Sequence, residues 1–223
     1  MSWDINIVSF LWGRWCMPYG VEYVIRLHDG VRNNCSTPHR FICFTDQSAS
    51  KFPNNIEVIT LDPFPDYAWN LKKMYAYNRD NGLTGQVFLI DLDVVIVGDM
   101  WDLLSYRGEF ATCQGAYCYK AGGSFTSFPA GRWHDELWEP LQETREKIED
   151  ITHGSERIYY RRIMENKMEF WDDLYPGKVL SYKRDCRQAG VVADNASLVR
   201  FHGRPRPHEV KANWVRRHWG EQL

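Results

Sequence analysis

The feature that most constrains the fold is the regular alternation of strand-like and helix-like segments in the first 90 residues. Apolar, β-branched runs lie at 5–12, 40–46, 56–61 and 86–90, and segments with helical spacing lie between some of them, at 19–27 and 69–77. This alternation is typical of a parallel sheet. We therefore predict an α/β fold with a mostly parallel central sheet, helices on both faces, and ligands bound beyond the carboxyl ends of the strands.

Glycine and proline predict where these elements end. Gly30 is expected to stop the first helix, and Pro63 and Pro65 the third strand. The second half is less regular, and there the pattern predicts a strand, a turn and two helices, at 109–113, Gly122-Gly123-Ser124, 133–151 and 156–167.

Length and charge restrict the domain count and the classes of partner. A chain of 223 residues favours one domain, 1–223. Its 27 Lys and Arg nearly balance its 29 Asp and Glu, so the overall charge does not favour binding to nucleic acid. Its apolar runs are too short for a membrane span.

The N-terminus and the cysteines give an expectation for the compartment. Met1 to Asn6 lacks a basic segment and a cleavage site, so we expect a cytoplasmic protein. The six cysteines show no metal-binding or disulfide spacing, and we expect buried thiols. The ten Trp residues are numerous, and such rings can stack on sugars or bases.

Two carboxylates follow the fourth strand, in the segment Leu89-Ile90-Asp91-Leu92-Asp93-Val94. Neighbouring ionised carboxylates repel each other and are costly to bury unless a cation neutralises them. Such oxygen ligands suit Mg²⁺ or Mn²⁺, which would dock a phosphate-bearing ligand. The alternative is that this Asp-x-Asp pair only caps the following turn.

A second cluster near the C-terminus reads Phe201-His202-Gly203-Arg204-Pro205-Arg206-Pro207-His208. An imidazole can complete a metal shell, Gly203 lets the backbone approach a ligand, and Arg206 suits phosphate oxygens. The alternative is an ordinary proline-rich surface loop. Together with the acidic pair, however, the cluster supplies both halves of a nucleotide-diphosphate site.

The order of these elements resembles that of bacterial and phage glycosyltransferases with the GT-A fold, related to glycosyltransferase family 8. The likeness runs through Trp12-Gly13, Tyr19, Tyr23-Val24, Phe44-Thr45-Asp46, Trp69, Lys73-Met74, Asp91-Leu92-Asp93-Val94, Ser181-Tyr182-Lys183, Phe201-His202-Gly203 and Pro205-Arg206-Pro207-His208. It implies a single GT-A, Rossmann-like nucleotide-sugar-binding domain, 1–223, with a nucleotide-binding half, 1–98, and an acceptor and clamp half, 99–223. It also implies that the Asp pair and a late His hold Mn²⁺ or Mg²⁺ on the donor diphosphate.

The chain departs from the family pattern at two places. Family 8 enzymes typically place the metal-binding His three residues before the Gly of the clamp, where this chain has Arg200; His202 directly precedes Gly203 instead. The Lys-Pro-Trp of the family reads here Arg206-Pro207-His208, which keeps the cation and loses the indole.

The resemblance also implies roles for residues that the local pattern does not single out. Trp12 and Lys73 are expected to bind the donor, although a helical Lys is more often a surface charge. Glu156 is expected to bind sugar hydroxyls or assist the reaction, or else to be a favourable helix N-terminal acid. Gly122-Gly123-Ser124 replaces an Asn-Ser-Gly-like turn near the acceptor.

The sequence therefore predicts a metal-dependent glycosyltransferase that moves a sugar from a nucleotide diphosphate to an acceptor hydroxyl, with retention at the anomeric carbon implied by the resemblance. Three assignments follow: catalytic Asp91, Asp93 and Glu156; donor-binding Trp12, Lys73, Asp91, Gly203 and Arg206; metal-binding Asp91, Asp93 and His202. The alternatives are a haloacid-dehalogenase-like phosphatase with Asp91 as nucleophile, and a non-catalytic nucleotide-sugar-binding protein.

Overall fold

The structure is a computed structural model that describes residues 4–13, 19–61 and 66–220. Cys16, Pro63 and Pro65 lie outside these ranges. Within these ranges the strands are β1 Ile5–Leu11, β2 Arg40–Thr45, β3 Glu57–Thr60, β4 Gln86–Ile90, β5 Val94–Ile96, β6 Ala111–Gly115, β7 Cys118–Pro129, β8 Glu169–Phe170, β9 Val179–Ser181 and β10 Leu198–Arg200. The α-helices of the same ranges are α1 Gly20–Asn34, α2 Trp101–Leu104, α3 Glu139–Glu143, α4 Arg145–Thr152, α5 Glu156–Ile163, α6 Trp171–Leu174 and α7 Asn213–Trp219.

The central sheet has seven strands in the order β3-β2-β1-β4-β7-β6-β8. The four strands from the first half of the chain are parallel to one another, and β7 runs antiparallel to β4 and β6. The predicted α/β class and the mostly parallel sheet are confirmed. Both predicted halves of the chain contribute strands to this sheet.

The side chains of β1 explain why both faces of the sheet are covered. Ile5 and Ile7 belong to one buried cluster, whereas Val8 belongs to the other. Alternate residues of a strand point to opposite faces, so this strand, which is buried along its whole length and has apolar side chains on both sides, needs a cover on each side. Helix α1 covers the first face with Val24 and neighbours, and the 3₁₀ helix Trp69–Tyr77 covers the second with Met74 and neighbours.

A second, three-stranded sheet has the order β5-β10-β9. Its central strand, β10, is antiparallel to β5 and parallel to β9. Since β5 begins directly after the Asp pair and β10 ends at Arg200, directly before Phe201 and His202, this small sheet brings the two sequence clusters together.

Two boundary predictions are wrong. Gly30 does not stop α1, which continues to Asn34; a Cβ on Gly30 would lie 3.2 Å from Ile96 Cβ, so the glycine permits close packing of the helix on β5. Residues 122–124 are not a turn but part of β7, where shifts in register against β6 and positive φ angles at Gly123 and Ser124 mark a bulge.

The predicted helices of the second half are broken or shortened. The segment 133–151 contains a π-helical turn at His134–Trp138 and then α3 and α4. The helix predicted over 156–167 is α5, which ends at Ile163. Pro140, which has no backbone N–H, lies at the start of α3 and favours a helix start there.

The cysteines are unpaired among the described residues. Cys43, Cys113 and Cys186 are buried as predicted, whereas Cys118 is exposed. No helix in the described ranges is long and apolar enough to cross a membrane.

Candidate active site

All eight predicted site residues line one pocket of about 650 Å³: Trp12, Lys73, Asp91, Asp93, Glu156, His202, Gly203 and Arg206. The pocket lies where β1 and β4 end and where β10 leads into the late cluster. The sequence thus predicted which side chains meet, although their individual roles are set by the contacts described next.

The acidic pair lies in the tight connection between β4 and β5. The Asp91 N–H donates to the Ser124 carbonyl at 2.8 Å, and the Val94 N–H donates to the Asp91 carbonyl at 3.2 Å. The backbone of the connection is therefore satisfied by main-chain partners. Both carboxylates remain available for other contacts in the pocket, which they line.

Lys73 bridges two carboxylates beneath the pocket. Its Nζ donates to Asp91 Oδ1 and to Glu156 Oε1, each at 2.7 Å, and the residue is only 5% exposed. Burial alone would lower the pKa of Lys73, but the charges of Asp91 and Glu156 outweigh it and raise the pKa above its ordinary value. We call Lys73, Asp91 and Glu156 the acid network.

Glu156 is buried at the first position of α5, after Ser155. Its Oε2 atom has no hydrogen-bond partner among the described residues. A Cβ on Gly123 would lie 3.0 Å from Oε1, so the positive φ and missing side chain of Gly123 make room for this carboxylate. A buried carboxylate oxygen of this kind is an acceptor for a ligand hydroxyl.

Asp93 is the acid whose charge is least compensated. Burial first, and then the charge of Asp91, raises the pKa of Asp93 to about 7, although Arg206 and Lys73 act in the opposite direction. Arg206 Nη1 lies 3.4 Å from Asp93 Oδ2. This guanidinium therefore links the late cluster to the acidic pair.

His202 lies on a different wall, among cations. Its Nε2 lies 2.8 Å from Ser181 Oγ. Burial first, and then the charges of Arg200, Lys183 and Arg157, lowers the pKa of His202 to about 4, so the imidazole is neutral at neutral pH. We call Arg157, Lys183 and Arg200 the cation wall.

The side chains present do not fit the predicted metal site. Within 4–13, 19–61 and 66–220, no group of three or more His, Cys, Asp or Glu side chains could hold a metal ion. Asp91 accepts a hydrogen bond from Lys73, and His202 is bonded to Ser181 rather than turned to the two acids. A divalent cation on His202 would also be repelled by the cation wall. The predicted ligand set Asp91, Asp93 and His202 is therefore not assembled.

Sequence reasoning missed two contributors to the pocket. Arg157 follows Glu156 on α5 and was not singled out, because nothing in the local pattern shows that α5 packs beside the late cluster. Trp69 is 77% exposed, lines the pocket and has a φ of 44°, which is unusual for a residue with a Cβ. The high Trp content of the chain was the available signal.

Comparison with solved structures places this fold among those of glycosyltransferases. The chain is similar to an active-site mutant of LgtC, with a TM-score of 0.67 and 10% identity over 93% of this chain and 91% of that one. It is also similar to the galactosyltransferase LgtC in complex with donor and acceptor sugar analogues, with a TM-score of 0.64 and 12% identity over 95% and 93% of the two chains.

A third similar structure is the apo form of the glycosyltransferase GlyE from Streptococcus pneumoniae TIGR4, with a TM-score of 0.66 and 10% identity over 92% of this chain and 56% of that one. No protein-family model and no curated protein sequence matches this chain. The fold is GT-A-like, as the sequence resemblance implies.

Proposed function

We propose that this chain is a glycosyltransferase that moves a sugar from a nucleotide diphosphate to the hydroxyl of an acceptor, which is a glycan, a lipid-linked sugar or a protein. One observation carries the proposal: side chains singled out separately along the sequence converge in one pocket at the carboxyl ends of the strands. That is the edge of an open α/β sheet at which ligands bind. The glycosyltransferase-like fold supports the same conclusion.

The late cluster provides the contacts for the diphosphate. Gly203 has a φ of 80°, and the nearest atom to a Cβ built there is Lys183 Nζ at 3.7 Å. The bare backbone therefore lets a ligand approach an ammonium group closely. Arg206 adds a guanidinium, which suits phosphate oxygens. Trp12, at the end of β1, offers an aromatic face at the same pocket.

The acid network provides the contacts for the transferred sugar. Glu156 Oε2 has no hydrogen-bond partner among the described residues, so it can accept a hydrogen bond from a hydroxyl of the sugar. Lys73 fixes both carboxylates through two 2.7 Å hydrogen bonds, so their positions exist before the donor arrives. Fixed polar groups of this kind stabilise a developing charge without reorganisation during the reaction.

The proposed reaction is a substitution at the anomeric carbon of the donor sugar. The bond between the anomeric carbon and the diphosphate oxygen breaks, and its electron pair leaves with the diphosphate. The acceptor oxygen forms the new bond to the same carbon and releases its proton to the departing diphosphate. Arg206 and Lys183 stabilise the negative charge that develops on the leaving group. We propose retention at the anomeric carbon, following the resemblance.

Nucleotide release from a panel of UDP-, GDP-, CDP- and dTDP-sugars tests the proposal. One donor should be hydrolysed slowly, and faster with an acceptor. Glu156→Gln keeps the size of the side chain and should lower kcat by about 100-fold, in the range of losing one preorganised polar contact. Glu146→Gln, an exposed change on α4, should leave kcat unchanged. No release from any donor would contradict the proposal.

The same assays separate the two alternatives. A phosphatase that uses Asp91 would release phosphate from small phosphoesters and form an acid-stable aspartyl-phosphate. Against it, Asp91 Oδ1 is occupied by Lys73, and the fold is that of glycosyltransferases. A non-catalytic binder would bind one nucleotide sugar and release no nucleotide.

A further inference from the structure

The guanidinium of Arg200 is buried without the partners that such a group requires. The residue is 1% exposed, and its Nε and Nη2 atoms have no hydrogen-bond partner among the described residues. A buried cation whose N–H groups remain unsatisfied is strongly unfavourable. Its presence at the end of a central strand points to an anionic partner that comes from outside the chain.

The position of Arg200 shows where that anion would lie. The strand β10 holds the residue between β5 and β9, and the next residues, Phe201 to Gly203, lead into the pocket. A Cβ on Gly122 would lie 2.9 Å from Arg200 Nη1, and Gly122 lines the pocket. The guanidinium therefore packs directly against the backbone of a residue that lines the pocket, and the missing side chain at Gly122 makes room for it there.

The other members of the cation wall reinforce this site. Arg157 and Lys183 line the same pocket as His202, and after burial the charges of all three cations lower the pKa of His202. None of the three forms an ion pair with a carboxylate of the described residues, whereas Lys73 of the acid network forms two. Three cations without internal counterions in one wall are suited to a ligand with several negative charges.

We propose that the cation wall of Arg157, Lys183 and Arg200 binds the donor diphosphate and stabilises its leaving charge in place of a divalent metal ion. This inference rests on the proposed glycosyltransferase function. Arg200 lies where family 8 enzymes typically have the metal-binding His, so a permanent cation replaces a ligand for one. A guanidinium binds phosphate oxygens in pairs and keeps its charge throughout the reaction.

Calorimetric titration with UDP, GDP, CDP and dTDP, in EDTA and in MnCl₂, tests the proposal directly. The best nucleotide should bind with Kd values that agree within about threefold in the two conditions. Binding that requires Mn²⁺ would overturn the inference and leave the proposed function standing. Absence of binding to every nucleotide in both conditions would contradict both.

Substitutions at Arg200 sharpen the test. Arg200→Met should weaken binding in EDTA by at least about tenfold, with no recovery in Mn²⁺, because it removes a charged hydrogen-bonding group. Arg200→His should also weaken binding in EDTA, because the imidazole lacks the paired N–H donors of the guanidinium. Arg216→Met, at an exposed position on α7, should bind as the original chain does.

Two further measurements guard against a folding artefact. Circular dichroism should show that the Arg200 variants remain folded; if they do not, Lys183→Met and Arg157→Met, which change less buried side chains, should each weaken binding in EDTA by about threefold to tenfold. Mn²⁺ alone, followed by electron paramagnetic resonance, should show no saturable site on the original chain. A saturable Mn²⁺ site, or unchanged nucleotide binding in every cation-wall variant, would overturn the inference.

Discussion

Side chains of both the acid network and the cation wall line one pocket, yet the two groups satisfy their charges in opposite ways. In the acid network, Lys73 Nζ lies 2.7 Å from each of two carboxylates, so the charges are compensated within the chain. In the cation wall, Arg200 is buried with two unsatisfied nitrogens. The acid network therefore contributes to the stability of the fold, whereas the buried, unsatisfied guanidinium of the cation wall lowers stability until a ligand binds.

The largest effect is expected when the acid network is broken. Lys73→Met leaves Asp91 and Glu156 with an uncompensated charge, so activity should be lost and unfolding free energy should fall by about 3 kcal/mol. Urea denaturation measures this change. The neighbouring Lys72 has its ion-pair partner Asp66 at 4.0 Å, and that side chain is 93% exposed. Lys72→Met should therefore cost less than about 1 kcal/mol. Equal losses of unfolding free energy in Lys73→Met and Lys72→Met would contradict the special contribution of the acid network.

A substitution of Asp93 tests whether a buried carboxyl group next to the acid network is compensated within the chain. Burial and Asp91 raise its pKa from 3.8 to about 7, so the folded chain holds this proton more tightly than the unfolded chain. Stability should then fall as pH rises through that interval and level off above it. Asp93→Asn removes this dependence and should be more stable than the original chain at pH 8, with the advantage disappearing in acid.

Urea unfolding of both proteins at a series of pH values checks this expectation. Asp80→Asn, an exposed change, should follow the curve of the original chain. Parallel curves for Asp93→Asn and the original chain would contradict this expectation. They would show that the charge of Asp93 is compensated within the chain, as the charges of the acid network are.

Trp69 also lines the pocket, but it belongs to neither the acid network nor the cation wall. The ring is 77% exposed, and the Asn70 N–H donates to the Gly154 carbonyl at 3.0 Å, which fixes the local backbone. An exposed indole at a polar pocket suits stacking on a sugar ring. Trp69→Ala should raise the KM for a sugar substrate by about tenfold with little change in thermal stability. Trp101→Ala, at a 53% exposed site outside the pocket lining, should alter neither.

The smallest effect is expected at His202. Its Nε2 atom lies 2.8 Å from Ser181 Oγ, and its neighbours are cations. His202→Ala should cost about 1 kcal/mol of stability for the lost hydrogen bond and change nucleotide affinity by no more than about threefold. A loss of affinity that appears only in Mn²⁺ would restore His202 as a metal ligand and weaken the contrast between the two walls.

Local patterns predicted the class of fold and singled out the acidic pair and the late cluster, whereas Trp12, Lys73 and Glu156 were assigned only from the resemblance. Asp91 could be placed at the end of a strand because an all-apolar run precedes it. The bulge at Gly123 was mistaken for a turn because its residue types favour turns locally, whereas pairing of β7 with β4 and β6 extends the strand through it.

The roles of individual charges could not be predicted in this way. Arg157 and Lys183 reach the same imidazole from α5 and from the segment after β9. That convergence depends on tertiary packing, which no spacing along the chain records. The same holds for Lys73 and Glu156, which are 83 residues apart and share one hydrogen bond.

The placement of β10 has a consequence for how the chain matures. This strand forms the middle of the small sheet, so until residues 198–200 are in place, β5 and β9 lack the neighbour that joins them. The same strand brings Arg200 and His202 to the pocket. During synthesis, a nascent chain that ends before this strand would therefore have neither the small sheet nor Arg200 and His202, although Arg157 and Lys183 of the cation wall would already be present.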